Sequence, residues 1–272
     1  MILRWLLCGL VLPLVAAAAP EPGFQRVAVG RAVVSLRADA TAPAHQGALW
    51  LHLHGAADTV EAAFARSGAP GVLVTLTLPG LSGVYAEHFA DPAVFDGLLR
   101  DVTSAVRGPA AGEEWSPGEL TVSSFSAGFG GVRQLLRQPD AFDRIAALVL
   151  ADSLYCGYAG PVAERRVDPA LMAGFLRFAR LAAEGRRRML VTHSQQVPPG
   201  YASTTETADY LIAALGGRRE PAVEAWADNL RQQSAFGRGG FQVFGFAGTE
   251  AEDHLRHLRS LGPFLDRVRA RP

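Results

Sequence analysis

The sequence predicts an α/β domain in which a mostly parallel central sheet carries helices on both faces. Short runs at 49–54, 72–78 and 145–150 are apolar at nearly every position, as in strands buried on both sides. Each is followed by a stretch with helical patterning, the alternation that parallel strands joined by helical crossovers require. The length of 272 residues suits one large domain, since domains of this class commonly reach about 250 residues. No internal repeat and no linker divides the chain.

In order along the chain, residues 26–37 are β-branched and polar and read as one or two edge strands. The strand at 49–54 is followed by a helix at 58–67 and a strand at 72–78. A helix is expected at 92–106 with Asp91 as its N-cap. A strand at 119–124 runs into a helix at 128–137, and strands at 145–150 and 189–192 flank a long helical stretch at 170–184. Helices are expected at 204–215 and 221–233, then a last strand at 241–246 and a last helix at 252–269.

The first residues differ from the rest. Arg4 is the only charge ahead of an apolar run from Trp5 to Val15, which ends in Ala16-Ala17-Ala18-Ala19-Pro20. A positive start, a short apolar core and small residues at its exit are the parts of a secretory signal peptide, with cleavage after Ala18. The run is too short for a comfortable membrane span, which takes about 20 apolar residues. The mature domain is therefore expected at 19–272, without a membrane span, in the periplasm or secreted. Cys8 lies too early to be a lipid-attachment site. Without this segment Cys156 is the lone thiol, so stability must come from the core rather than from an internal disulfide. The 26 basic residues balance 26 acidic ones, which argues against a nucleic-acid partner.

The residues that carry chemistry centre on Ser124-Phe125-Ser126-Ala127-Gly128. A serine becomes a good nucleophile when it is exposed, oriented and hydrogen-bonded to a base. A sharp strand-to-helix turn supplies the first two by forcing its central residue into a strained conformation, and it demands very small residues two places away. Ser126 is central here, Ser124 and Gly128 are the small flanks, and Gly130 and Gly131 let the next helix approach the sheet. The plain alternative is an ordinary Ser-Gly turn. The segment resembles the nucleophile elbow of the α/β-hydrolase superfamily, with Ser124 in place of the commoner first glycine, and it follows a buried mid-chain strand, where that superfamily places its nucleophile.

The resemblance implies the α/β-hydrolase fold and a catalytic set in chain order nucleophile, acid, histidine, the histidine following the last strand. His254 and His257 both follow that strand, three residues apart and so on roughly one helix face. His254, nearer the loop, is the expected base; the plain reading of His257 is a half-buried helix residue. No carboxylate follows the strand at 189–192, where the chain reads Thr192-His193-Ser194-Gln195. One strand earlier Asp152 stands at a strand's C-terminal end, a position some members of the superfamily use. It is the expected acid, with Glu206 in reserve and an N-cap or turn role as the plain alternative. The strand ending His52-Leu53-His54-Gly55 resembles the one that begins the oxyanion hole, which would pair the backbone N–H of Ala127 with that of Ala56 or Gly55. His54 is expected to shape this loop. The loop at 79–85 opens on the same edge, where ligands of open parallel sheets bind. Ser82, Tyr85, His193 and Tyr201 are pocket candidates, against the plainer reading of solvated loop residues.

The expected activity is that of a serine hydrolase, transferring an acyl group from a small-molecule or polymer ester to water through Ser126, with no cofactor and no metal. Nothing marks peptide selectivity, so an ester is preferred, with a serine peptidase or amidase on the same fold as the alternative. A non-catalytic binding protein on this scaffold is a second alternative, although such proteins usually lack the nucleophile or histidine. A metal hydrolase built on His52 and His54 would need an Asp-His pair that Gly55-Ala56-Ala57-Asp58 does not supply, or a bridging lysine that this lysine-free chain lacks. A helical insert at about 153–184, with Leu171, Met172, Phe175, Leu176 and Phe178, either forms a lid or simply packs. Neither substrate identity nor oligomeric state is encoded in these motifs.

Overall fold

Among the described residues, ten strands build one sheet: β1 (Phe24–Val29), β2 (Ala32–Arg37), β3 (Gln46–Leu53), β4 (Val72–Leu76), β5 (Ser116–Phe125), β6 (Ile145–Ala151), β7 (Arg188–His193), β8 (Glu220–Ala225), β9 (Arg231–Arg238) and β10 (Phe241–Phe246). A computed structural model describes residue 21 and residues 23–37, 46–107 and 115–270; the expected signal segment at 1–18 lies outside the described residues. The strand order is β1-β2-β4-β3-β5-β6-β7-β10-β9-β8. Pairing is parallel from β4 through β3, β5, β6 and β7 to β10. It is antiparallel at the two flanks, in β1-β2-β4 and in β10-β9-β8.

The period-2 geometry of a strand sends alternate side chains to opposite faces. Leu49, Leu51 and Leu53 of β3 therefore join one core with Val122, Leu148, Val191 and Val243, while Trp50 joins another with Leu73, Val149, Leu190 and Phe244. Helices α2 (Ser82–His88), α3 (Pro92–Arg107), α4 (Phe129–Arg137), α5 (Pro139–Arg144), α6 (Pro169–Ala183) and α7 (Thr204–Ala214) contribute to the first core. Helices α1 (Ala57–Ala65), α8 (Ala251–Arg259) and α9 (Leu261–Arg269) contribute to the second. Asp91 caps α3 through its carboxylate, which accepts from the Ala93 N–H at 2.9 Å.

Several expectations need correction. Residues 221–233 form most of β8, a short 3-10 turn at Ala227–Asn229 and the start of β9 rather than an α-helix. Asp228 and Asn229 both take left-handed backbone, φ 55° and 59°, and fold these strands into a hairpin whose pairing to β10 outweighs the local helical composition. The last helix breaks at Ser260 into α8 and α9. Part of the loop at 79–85 is helical, since Ser82 and Tyr85 lie on α2. Within the expected insert, α6 is the crossover from β6 to β7, and it buries Met172, Phe175 and Phe178 in the first core.

Candidate active site

The parallel strands end along one edge, and three residues there take left-handed backbone without being glycine: His54 after β3 (φ 73°), Ser126 after β5 (φ 46°) and Asp152 after β6 (φ 43°). Such conformations cost about 1–3 kcal/mol each and cluster where geometry matters more than local comfort.

The turn at Ser126 has a steric cause. A Cβ on Gly128 would lie 2.2 Å from the Leu53 carbonyl oxygen and 3.0 Å from the Ser124 Cβ, so both flanks must be small. A Cβ on Gly130 would lie 2.0 Å from the Ser82 carbonyl oxygen, so α4 lies hard against α2. The Ser153 hydroxyl donates to the Ser126 carbonyl at 2.8 Å, and its oxygen is 2.8 Å from Ser124 Oγ. Ser153 has spent its one proton, so Ser124 donates to it. Ser126 itself is half-buried at the start of a short 3-10 turn, Ser126–Gly128, that leads into α4.

Asp152 is fully buried, and its backbone N–H is held by the Thr192 carbonyl and hydroxyl, each at 3.1 Å. Oδ1 accepts from the Ser194 N–H at 3.0 Å and from the Thr204 hydroxyl at 2.5 Å, while Oδ2 lies 2.7 Å from His254 Nδ1. Burial would raise this carboxyl, but the imidazoles of His257 and His254 and the Thr204 hydroxyl outweigh it and hold it below the usual carboxylate range. A carboxylate only accepts, so His254 donates from Nδ1, and its second ring nitrogen, Nε2, takes no part in this bond. The His254 ring also lies against Phe125, with centroids 4.4 Å apart, so both its direction and its tilt are fixed.

His257 points elsewhere. It is fully buried, its Nδ1 is 2.8 Å from the Thr192 hydroxyl, and its ring meets Phe246 edge-on. Burial lowers its pKa to about 4. Glu206 is likewise engaged: it closes the capping box of α7 with Ser203 and pairs with Arg165 at 2.7 Å.

The His-Gly loop is anchored through its carbonyls. His52 Nε2 lies 2.9 Å from the His54 carbonyl and its Nδ1 2.8 Å from Ser123 Oγ, and burial lowers this imidazole to about 3. The Thr77 hydroxyl donates to the Gly55 carbonyl. In a planar trans peptide the N–H points opposite its carbonyl, so these two anchors fix the directions of the Gly55 and Ala56 N–H groups. With both ring nitrogens of His52 engaged within the protein, His52 and His54 offer no paired metal ligands. Among the described residues no group of three or more His, Cys, Asp or Glu is arranged to hold a metal ion.

Of the pocket candidates, Tyr85 is buried and its hydroxyl accepts from the Leu78 N–H at 2.8 Å and meets His54 Nδ1 at 3.0 Å, so it braces His54. Ser82 is half-buried on α2, and His193 is buried behind Asp152. Tyr201 is exposed and packs edge-on against Tyr155, which in turn meets Phe129, three residues past Ser126, at 5.6 Å. Phe125, Ser153, Thr192, Ser194 and Thr204 were not singled out by sequence reasoning. Phe125 and Ser153 had a local signal, standing beside Ser126 and Asp152.

No family model matches the chain, and no curated protein does. Among solved structures, it is similar to a mutant feruloyl esterase module from Clostridium thermocellum complexed with sinapinate, at 12% identity and TM-score 0.47, covering 90% of this chain and 89% of that one. It is also similar to an esterase of Pyrobaculum calidifontis, at 13% identity and TM-score 0.49, covering 92% and 86%. An ester-hydrolase from the metagenome of Lake Arreo matches at 15% identity and TM-score 0.41, covering 93% and 83%.

Proposed function

We propose that this chain is an α/β-hydrolase that cleaves carboxylic esters through an acyl-enzyme on Ser126, with His254 as base and Asp152 as the acid that orients it. The observation that carries the reading is the 2.7 Å contact between Asp152 Oδ2 and His254 Nδ1, made by a buried carboxylate whose other oxygen is already satisfied. In this reading His254 Nε2 takes the Ser126 proton as Oγ attacks the ester carbonyl, and Asp152 stabilises the resulting imidazolium. The proton then passes to the leaving alcohol, and water repeats the sequence in reverse to release the acid. Negative charge on the tetrahedral oxygen is met by the Ala127 N–H at the start of the turn into α4 and by the Ala56 or Gly55 N–H, each worth roughly 3 kcal/mol of barrier. Two helices begin here, α1 and α4, and their N-terminal ends favour the same charge.

An ester is preferred over an amide because its leaving group departs without the stronger protonation an amine needs. Turnover of a p-nitrophenyl acyl ester series, beside the matching anilides, tests this. Ester hydrolysis that disappears in Ser126→Ala and in Asp152→Asn is expected, with anilides far slower. Equal ester turnover in wild type and Ser126→Ala would overturn it.

A further inference from the structure

A line of polar groups runs from the back of Asp152 to the corner between α7 and β8. Arg219 grips Asp209 twice, Nε to Oδ1 at 2.6 Å and Nη2 to Oδ2 at 2.8 Å. Its Nη1 reaches Ser234 Oγ at 3.1 Å and His193 Nε2 at 3.3 Å. A guanidinium only donates, so Nε2 of His193 accepts and the ring proton sits on Nδ1. That proton faces Thr205 Oγ1 at 2.9 Å and the Ser194 carbonyl at 3.1 Å, and the Thr205 hydroxyl donates to the same carbonyl at 2.9 Å. Ser194 then donates its own N–H to Asp152 Oδ1, and Thr204, the neighbour of Thr205, supplies the other bond to that oxygen.

The sequence also makes room for this ring. Gly245 of β10 pairs directly with His193 of β7, and a Cβ there would lie 2.7 Å from the imidazole Cε1 and Nε2. His193, Ser194 and Thr204 are all buried, where a polar group must be satisfied to be tolerated. The charged and titratable groups around the ring are Arg219, Asp209, Asp152 and His257.

We propose that His193, with Arg219 and Thr205, is a positioning residue for Asp152. The set locks one imidazole tautomer, which holds Ser194 and the start of α7 so that both donors stay on Oδ1 and leave Oδ2 to His254. This deepens the reading of Asp152 and His254 as the acid and base, and rests on it.

Three variants test it. His193→Asn keeps an N–H donor near the place of Nδ1, His193→Leu removes it, and Arg219→Met frees the tautomer. The readouts are the pH profile of fluorophosphonate labelling at Ser126 and the proton NMR resonance of the hydrogen shared by His254 and Asp152. In His193→Leu, labelling is expected to slow by up to about 100-fold through the maximal rate rather than probe affinity. The acid limb moves to lower pH, because a misaligned carboxylate stabilises the imidazolium less, and the resonance shifts or broadens. His193→Asn restores most of both. If His193→Leu does not fold, Arg219→Met carries the comparison, with the same displaced resonance and a smaller loss of rate. An unchanged profile and resonance in the folded variant, or His193→Asn as impaired as His193→Leu, would overturn the proposal. A wild type that gives the resonance but never labels would instead overturn the hydrolase reading and leave the positioning role to be judged by the resonance.

Discussion

Asp152 is the residue on which most of the local structure converges. Its carboxylate receives Ser194, Thr204 and His254, and its N–H is held by Thr192. Asp152→Asn keeps the size but offers an amide N–H where an acceptor is needed, so turnover should fall by about 10⁴-fold; steady-state kinetics with a p-nitrophenyl ester measures this. His254→Ala should be as impaired as Ser126→Ala, each keeping a residual rate of roughly 10³ over water. His257→Gln should instead leave turnover near normal and lower stability, because that ring meets Thr192 and Phe246 and not Oδ2 of Asp152. The reverse pattern between the two histidines would contradict the assignment. The turn at Ser126 was legible because its rule is steric and local: Ser124 and Gly128 must be small, and each stands two places from Ser126. The shell of Asp152 was not, because Thr192, Ser194 and Thr204 come from β7, its following loop and α7, and only the fold brings them to one carboxylate.

At the level of elements, glycine sets how closely α4 lies on its neighbours. Gly130→Ala would put a methyl group 2.0 Å from the Ser82 carbonyl, a backbone atom that can only move with α2. A loss of about 1–3 kcal/mol, as for an overpacked core, is expected in chemical denaturation, with turnover falling too because Ser126 opens the turn into α4. Wild-type stability in Gly130→Ala would mean that α2 and α4 are not so closely packed. The parallel strands could be read from their apolar runs, and the hairpin of β8 and β9 could not. β8 lies at the sheet edge with Val223 almost fully exposed, so no apolar pattern marked it. The usable signal was Asp228-Asn229, a pair that tolerates left-handed backbone, and helical composition around it concealed that signal.

Across the whole molecule, the two cores on either face of the sheet enclose imidazoles that burial keeps neutral. His52 and His257 are lowered to about 3 and about 4, while the unfolded chain protonates its histidines near 6.5. A lowered histidine pKa means that the unfolded state binds protons the folded state refuses. Stability is therefore unaffected above about pH 6.5 and falls as pH drops towards 4, by roughly 1.4 kcal/mol per pH unit for each ring once the unfolded state is protonated. Denaturant titrations at pH 7, 6 and 5 measure this, and a flat free energy across that range would contradict the burial of these rings. The central claim, that Ser126 is an activated nucleophile, is tested most directly by treating the folded protein with a fluorophosphonate and mapping the adduct by mass spectrometry. One adduct on the peptide containing Ser126, lost in Ser126→Ala and in His254→Ala, is the predicted result. A folded wild type that remains unlabelled, or an adduct that persists in Ser126→Ala, would contradict it.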